Sequence, residues 1–285
     1  MLNVQSLLVA AAASLFGTVA FAADMPIAPP PAYTPPPPAE FGGWYLRGDI
    51  GMTNQQMKSI DNPGDPNMQL FTSTGNGFDS ATLFDIGAGY QFNDWFRADV
   101  TGQWRGRANL HGSHSIPFTT TLFPGTAFAN ANDYSGSKSE AVIMANAYFD
   151  LGTWWSVTPY VGAGIGASYN RISGFRDNGI SYINGAPFPA VTYGADAGKW
   201  NFAWAVHAGL GYKVTPNLTL ELGYSYMNLG DATTGPTNSF DAITVVNGSP
   251  FVIKSITSHD LKLGLRWNLE TPTPVYAPPP VITKG

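Results

Sequence analysis

Two short motifs in this sequence carry residue types that occur in catalytic and cofactor-binding sites. Ser258, His259 and Asp260 have the side chains of a hydrolase triad, but successive residues of a strand point to opposite faces, so His259 cannot reach its neighbours. The segment 162–167, Gly-Ala-Gly-Ile-Gly-Ala, matches the glycine pattern of a dinucleotide-binding turn. No helical periodicity follows it, and no acidic residue lies about 20 residues further on to bind a ribose. We therefore predict neither a triad nor a nucleotide site.

The histidines offer a second kind of chemistry. His207 is expected inside the fold and diagonal to Glu221, where a hydrogen-bonded interior pair is favoured over a catalytic dyad. His111 and His114 lie together in a long polar link, and two histidines supply too few ligands to favour a metal or haem site. We therefore predict no catalytic residue, no metal, no cofactor and no enzymatic activity.

The ionisable residues follow a period of two. In 44–52 the even positions hold Trp, Leu, Gly, Ile and Met, whereas Arg47 and Asp49 occupy odd positions. Because successive strand side chains point to opposite faces, this pattern makes one face apolar and the other charged. The same placement recurs along the chain and predicts one interior charge network: Arg47, Asp49, Asp85, Arg97, Asp99, Arg105, Glu140, Asp150, Glu221, Asp260, Lys262 and Arg266.

Eight segments share this alternation and must position the charges: 44–53, 81–92, 95–106, 139–151, 158–172, 199–213, 218–228 and 255–269. Short connections alternate with long polar links, which span 54–80, 107–138, 173–198 and 229–254. Short turns at one end and long loops at the other are typical of outer-membrane barrels, in which lipid covers the apolar face. The sequence predicts an all-β fold, an eight-stranded antiparallel transmembrane up-and-down β-barrel.

Composition and aromatic placement agree with an outer surface in lipid. Charged residues make up 12% of the chain, against about 25% in soluble domains. The chain has no cysteine, which excludes disulfides, and its net charge of -5 argues against nucleic-acid binding. Tyr45 and Tyr160 are placed in an interfacial belt near the short turns, and a soluble aromatic core is the alternative. The predicted aromatic girdle comprises Trp44, Trp95, Trp104, Trp200 and Trp267.

The two ends of the chain differ from this central region, 42–269. Residues 1–22 contain an apolar run that ends in Ala20-Phe21-Ala22, so the sequence predicts a signal peptide with Ala20 and Ala22 at the cleavage signal. A transmembrane helix is the less favoured alternative. Residues 23–41 and 270–285 are rich in proline and are expected to be extended periplasmic segments.

The interior of an eight-stranded barrel is just wide enough for side chains to fill. The predicted inward charges are nearly balanced in sign, and an unpaired buried charge is strongly destabilising. A salt-bridged polar core is therefore favoured, and a hydrophilic pore is the alternative.

Four segments resemble the small outer-membrane β-barrel proteins of alphaproteobacteria, which are related to opacity-type surface antigens and to OmpA-like barrels. They are Ala-Ala-Asp-Met-Pro at 22–26, Gly-Trp-Tyr-Leu-Arg-Gly at 43–48, Tyr-Val-Gly-Ala-Gly-Ile-Gly at 160–166 and His-Asp-Leu-Lys-Leu-Gly-Leu-Arg-Trp at 259–267. The resemblance covers about 41–269. It implies a surface antigen with a role in envelope integrity and, in some members, adhesion or haem binding. Members end at the last strand, whereas this chain continues into a Pro-rich tail.

These observations predict a multi-pass protein of the Gram-negative cell outer membrane with a structural, envelope-integrity and surface-presentation role. Porin-like diffusion of small solutes is the first alternative, and an adhesin or haem-binding surface protein is the second. The expected partners are outer-membrane lipids, including lipopolysaccharide, with peptidoglycan or other periplasmic partners through the Pro-rich tails. No nucleic acid is expected, and the ligand of the outer loops is left open.

Overall fold

The computed structural model describes residues 43–65, 68–241 and 244–269, and strands dominate this part of the chain. The strands are β1 (Gly43–Gln56), β2 (Ser59–Asp61), β3 (Thr72–Phe78), β4 (Ala81–Gln91), β5 (Phe96–Phe123), β6 (Thr126–Asp150), β7 (Val157–Ile183), β8 (Ala186–Gly194), β9 (Ala197–Lys213), β10 (Leu218–Thr233), β11 (Thr237–Phe240), β12 (Val245–Gly248) and β13 (Val252–Asn268). Within the described ranges, no helix is long and apolar enough to cross a membrane. The predicted signal peptide, Ala20 and Ala22 at its cleavage signal, and both Pro-rich segments lie outside the described residues.

Eight of these strands close into a ring. Neighbouring strands pair antiparallel in the order β1, β4, β5, β6, β7, β9, β10, β13 and back to β1. The last strand meets the first, with Leu46 opposite Trp267 and Met52 opposite Leu261. Closure leaves no strand of the ring with an open edge, as a sheet surrounded by lipid requires. The predicted eight-stranded antiparallel barrel is confirmed.

Side chains alternate around this ring. On β1, Trp44, Leu46 and Ile50 lie on the outside and are more than half exposed. Arg47 and Asp49, on the opposite face of the same strand, are buried. The barrel is therefore apolar outside and charged inside, which is the reverse of a soluble β-barrel and the arrangement of a transmembrane one.

Short turns connect the strands at the end of the barrel where β1 begins and β13 ends. In the turn between β4 and β5, the Asn93 Oδ1 accepts hydrogen bonds from the backbone N–H groups of Trp95 (3.1 Å) and Phe96 (2.7 Å). This turn sets Gln91 opposite Arg97. Short turns lie on the periplasmic side of such barrels, and we expect this end to face the periplasm.

The four long links, predicted to be loops, are largely strands. The β5–β6 hairpin continues to the pairing of Phe123 with Thr126, and β7 pairs with β8 as far as Ile183 and Ala186. In addition, β3 pairs with β5, β2 with β13, and β11 with both β8 and β12. A tight turn connects β7 to β8, because Asn184 and Gly185 both have positive φ (50° and 83°). Asn-Gly is a preferred sequence for a type I′ turn between antiparallel strands.

The links form a second folded layer, which we call the outer cap: the described residues of 57–80, 107–138, 173–198 and 229–254. The rings of Tyr134, Phe175 and Phe251 pack together, with centroid separations of 4.9 to 6.0 Å. Ile60 and Ile253 are fully buried in the same cluster. The outer cap therefore has an apolar core, as a structure in water needs, and this core continues into the barrel as far as Met144 and Met227.

Irregular pairing marks the border between the charged barrel interior and this apolar core. On β5 the buried side chains are at odd positions up to Arg105 and at even positions from Ala108 onward. The register between β5 and β6 shifts between the same two residues. On β13, Ser255 has a positive φ of 52° and separates buried Ile253 from buried Ile256. An extra residue in a strand reverses the faces of the side chains beyond it, so these irregularities reset the alternation.

Candidate functional site

All twelve predicted interior charges lie inside the barrel. Each is at most 7% exposed, although seven are carboxylates and five are cations. Buried charges require partners of opposite sign and further hydrogen bonds. The interior side chains meet this need in three groups of ion pairs.

The first group centres on Arg47 of β1. Its Nη2 lies 2.9 Å from the Asp49 Oδ2, and its Nη1 lies 3.1 Å from the Asp99 Oδ2. Asp99 in turn accepts hydrogen bonds from the Tyr45 hydroxyl (3.1 Å) and the Asn146 amide (2.8 Å). These contacts join β1, β5 and β6 across the interior.

Glu221 of β10 extends this first group, because it pairs with three arginines, one of which is Arg47. The Arg266 Nε donates to its Oε1 at 2.9 Å, and the Arg97 Nη2 and the Arg47 Nη2 lie 3.4 and 3.5 Å from its carboxylate. Arg97 also pairs with Asp150 at 3.2 Å. The Arg97 guanidinium lies over the rings of Tyr148 and Tyr160, 4.4 and 4.8 Å from their centroids. Aromatic faces attract a desolvated cation, so these rings add to the pairing.

The second group lies next to the outer cap. The Arg105 Nη2 is 2.5 Å from the Asp260 Oδ2, and the Arg105 Nε is 3.0 Å from the Glu140 Oε1. Lys138 pairs with Glu140 and donates to the Gln55 Oε1 at 2.8 Å. Sequence reasoning missed Lys138 because it assigned residues 107–138 to an outer link. The signal was present, since Lys138 continues the inward parity of Glu140.

The third group connects β4 with β13. The Lys262 Nζ lies 3.5 Å from the Asp85 Oδ2, and the Gln103 amide donates to the same oxygen at 2.8 Å. With this group, each of the twelve predicted residues has an interior ion partner within 4 Å.

The histidines do not form the arrangement expected from the sequence. His207 is inside the barrel, but its Nδ1 lies 2.8 Å from the Ser225 Oγ and its Nε2 lies 3.2 Å from the Asn146 Oδ1. The expected pair with Glu221 is wrong because His207 lies opposite Ser225, whereas Glu221 lies opposite Gly211. Among the described residues, no group of three or more His, Asp or Glu side chains could hold a metal ion.

The Ser258-His259-Asp260 motif is split between the two faces of β13. Ser258 and Asp260 point inward and both contact the Arg105 guanidinium. His259 points outward, where its Nδ1 lies 2.6 Å from the Tyr224 hydroxyl. The three side chains do not form a relay.

The five tryptophans of the predicted girdle, Trp44, Trp95, Trp104, Trp200 and Trp267, are all on the outside and are 51% to 61% exposed. Trp95 stacks on Phe149 with ring centroids 5.9 Å apart. Tyr45 and Tyr160, which the sequence analysis placed in the belt, are instead buried in the interior. Both residues are at inward-facing positions of β1 and β7. The position in the strand, and not the aromatic type of the residue, therefore decides which face the side chain lies on.

The glycines of 162–167 make space inside the barrel. A Cβ on Gly162 would lie 2.5 Å from the Tyr148 Cδ1, closer than side chains tolerate. Gly162 is opposite Tyr148 in the β6–β7 pairing. The glycine therefore admits the tyrosine that contacts Arg97.

A cavity of about 190 Å³ lies in the outer cap, separate from the charged interior. Its polar walls include Asn62, Asp65, Asn132, Asp177, Thr192 and Ser239. Burial, together with the nearby carboxylate of Asp133, raises the pKa of Asp177 to about 7. Burial also lowers the pKa of His114, which contacts the cavity-lining Tyr134. His114 is therefore uncharged at neutral pH.

A closed ring that is apolar outside, charged inside and flanked by exposed tryptophans defines an outer-membrane β-barrel protein. The chain belongs to the family described as outer membrane protein beta-barrel domain, whose model matches residues 8–251.

Three relatives agree with this assignment. An uncharacterized protein of Brucella suis biovar 1 is 31% identical over 226 residues, which cover 74% of this chain and 76% of that protein. Outer membrane protein PagN of Salmonella typhimurium is 28% identical over 149 residues, 51% of this chain and 56% of PagN. A putative adhesin of Rickettsia bellii is 27% identical over 230 residues, 79% of this chain and 88% of the adhesin. The protein is located in the outer membrane, and its resemblance to small alphaproteobacterial barrel proteins is confirmed.

The interior network predicts that Glu221→Gln strongly destabilises the barrel. The variant keeps the shape of the side chain but leaves three buried arginines without a shared carboxylate. Removing one partner of a buried ion pair costs about 3–5 kcal/mol. The free energy of unfolding is measured by titrating the refolded protein with urea, with heat-modifiable migration on gels as the readout of the folded fraction. The matched control, Leu222→Met on the outer face of the same strand, is expected to change stability by less than about 1.5 kcal/mol. Equal stability of both variants and the unmodified protein would contradict the network.

Proposed function

We propose that this protein is a non-conducting outer-membrane anchor that presents the outer cap as a binding surface on the outside of the cell. The observation that carries this proposal is the contrast between the interior of the barrel, which is charged, and the core of the outer cap, which is apolar. The barrel interior is occupied by paired charges, and the outer cap folds around the apolar cluster that contains Tyr134, Phe175 and Phe251. A folded cap on a filled barrel is suited to recognition at a surface.

A porin needs a continuous water path through the barrel. Here Arg97 and Arg105 extend from β5 and Glu221 extends from β10 into the interior, and all three are almost fully buried. Their ion pairs join β5 to β6, β10 and β13. To open a water path, these side chains would have to move apart, which would break buried ion pairs at a large cost in free energy. This cost supports a filled interior over the porin alternative.

Exposed apolar side chains at the outer hairpin tips support a binding role. Phe118 and Phe123 on β5, and Tyr182 and Phe188 on β7 and β8, are between 43% and 70% exposed. Exposed apolar groups far from the lipid face commonly mark surfaces that contact another molecule. The Rickettsia bellii relative is named a putative adhesin, which agrees with a recognition role without enzymatic activity.

The structural role in envelope integrity belongs to the same proposal. A barrel with a girdle of exposed tryptophans is held at a fixed depth among lipids, including lipopolysaccharide. The Pro-rich segments would reach peptidoglycan or other periplasmic partners. A deletion strain that becomes sensitive to detergent without a change in solute uptake supports this role, and reduced uptake with normal detergent resistance contradicts it.

The filled interior predicts that the purified protein does not form a stable pore. Planar bilayers that contain protein verified as folded by heat-modifiable migration are expected to show no discrete, long-lived current steps. Regular unitary openings, reproduced across protein preparations, would contradict the filled interior and favour porin-like diffusion of small solutes.

Surface presentation predicts a one-sided labelling pattern. The chain contains no cysteine, so single cysteines report their own location. Ala186→Cys at the tip of the β7–β8 hairpin is expected to react with a membrane-impermeant maleimide on intact cells. Asp94→Cys, in the short turn between β4 and β5, is expected to react only after the outer membrane is permeabilised. Labelling of Asp94→Cys alone on intact cells would show the opposite orientation.

A further inference from the structure

The cavity in the outer cap lies apart from the ion pairs of the barrel. It forms where β6, β7, β8 and β11 meet the link that contains Asn62 and Asp65. Its volume of about 190 Å³ can be compared with a cavity of roughly 150 Å³ that is known to hold benzene. One six-membered ring with substituents therefore fits this space.

Asp177 gives the cavity an unused hydrogen-bond acceptor. The residue is only 8% exposed, and among the described residues no donor lies within hydrogen-bonding distance of its Oδ1. A buried acceptor without a donor is costly, and native structures rarely tolerate one without a reason. A ligand hydroxyl or amine that enters the cavity would supply the missing donor.

The other walls divide into a polar and an apolar part. Thr192 and Ser239 supply hydroxyl groups 2.6 Å apart, and Asn62 and Asn132 supply amides that both donate and accept. Met68, Phe71, Tyr134 and Phe251 supply apolar surface. A sugar ring presents the matching combination, with hydroxyl groups around its edge and C–H groups on its faces.

The charged residues that line the cavity limit which ligands it can bind. Asp65 and Asp177 line the cavity, and none of its described lining residues is Lys, Arg or His. Once Asp177 is ionised, above its pKa of about 7, its carboxylate repels a sulfate, phosphate or carboxylate group, which makes this wall selective against acidic sugars.

We propose that the outer cap binds one sugar residue without negative charge, a neutral or amino hexose, with the Asp177 carboxylate accepting a hydrogen bond from it. This ligand class deepens the proposed function and rests on it, because the cavity must face the outside of the cell to meet a surface glycan.

The test uses the full chain in detergent micelles and saturation-transfer NMR. The neutral and amino probes are the methyl glycosides of glucose, galactose and mannose, together with N-acetylglucosamine and glucosamine. The acidic probes are glucuronic acid and N-acetylneuraminic acid, and calcium chloride and methylammonium test for a simple cation site. The variants are Asp177→Asn, Ser239→Ala and the control Asp196→Asn, an exposed acidic residue of the cap that does not line the cavity.

We expect saturable binding of at least one neutral or amino sugar and none of the acidic sugars. At pH 8, where Asp177 is mostly ionised, Asp177→Asn is expected to weaken this binding about tenfold, because a charged hydrogen-bond acceptor is lost, while Asp196→Asn leaves it unchanged. If Asp177→Asn fails to show heat-modifiable migration, Ser239→Ala takes its place and is expected to weaken binding as well.

Absence of sugar binding by folded protein, equal binding of acidic sugars, or binding that only calcium or methylammonium shows would each overturn the proposal. So would sugar binding that neither Asp177→Asn nor Ser239→Ala changes. These outcomes are independent of the bilayer and maleimide experiments, because the purified protein has no orientation. A failure of sugar binding with outward labelling of Ala186→Cys therefore rejects the ligand and leaves the anchor intact.

Discussion

The pairing of β1 with β13 is the constraint on which the rest of the structure depends. Hydrocarbon offers no hydrogen bonds, so each unpaired backbone group on an open sheet edge would cost several kcal/mol. Pairing from Tyr45 opposite Asn268 to Gln56 opposite Thr257 removes that edge. Once the ring is closed, each of its eight strands has one face in lipid and one face inside where it crosses the membrane, and the alternation of the sequence decides which side chains lie on each.

The interior charges follow from this closure. Arg47, Arg97 and Arg266 cannot reach water on the lipid side, so they turn inward and share Glu221. Beyond the membrane the solvent outside is water, and the usual preference for an apolar interior returns. The shift between Arg105 and Ala108 lets one strand serve both environments. The filled barrel and the folded cap are thus two responses of the same strands to two solvents.

The sequence was sufficient to predict the barrel because its alternation and its short turns are local signals. The inward placement of the twelve interior charges follows from parity alone. The outer cap could not be predicted in this way, since register shifts reset the parity and its strands are rich in glycine and small polar residues. The Asn184-Gly185 dipeptide was the readable sign of a hairpin in that region.

Partners that depend on cross-strand register were also beyond reach. His207 bonds to Ser225 because those two residues lie opposite each other on β9 and β10, and no single-strand pattern specifies that pairing. Tyr45 and Tyr160 were assigned by aromatic type, although their parity places them inside. The cavity that contains Asp177 combines residues from links more than a hundred positions apart, and only the folded chain brings them together.

A spin-label scan along β10 tests most directly whether lipid surrounds the outside of this sheet. Single cysteines at residues 222–227 in the cysteine-free chain, labelled in lipid bilayers, report accessibility to membrane-dissolved oxygen. We expect high oxygen accessibility at Leu222, Tyr224 and Tyr226 and low accessibility at Gly223, Ser225 and Met227, a period of two. Oxygen contact at the odd positions, with Leu222 and Tyr224 shielded, would contradict the account.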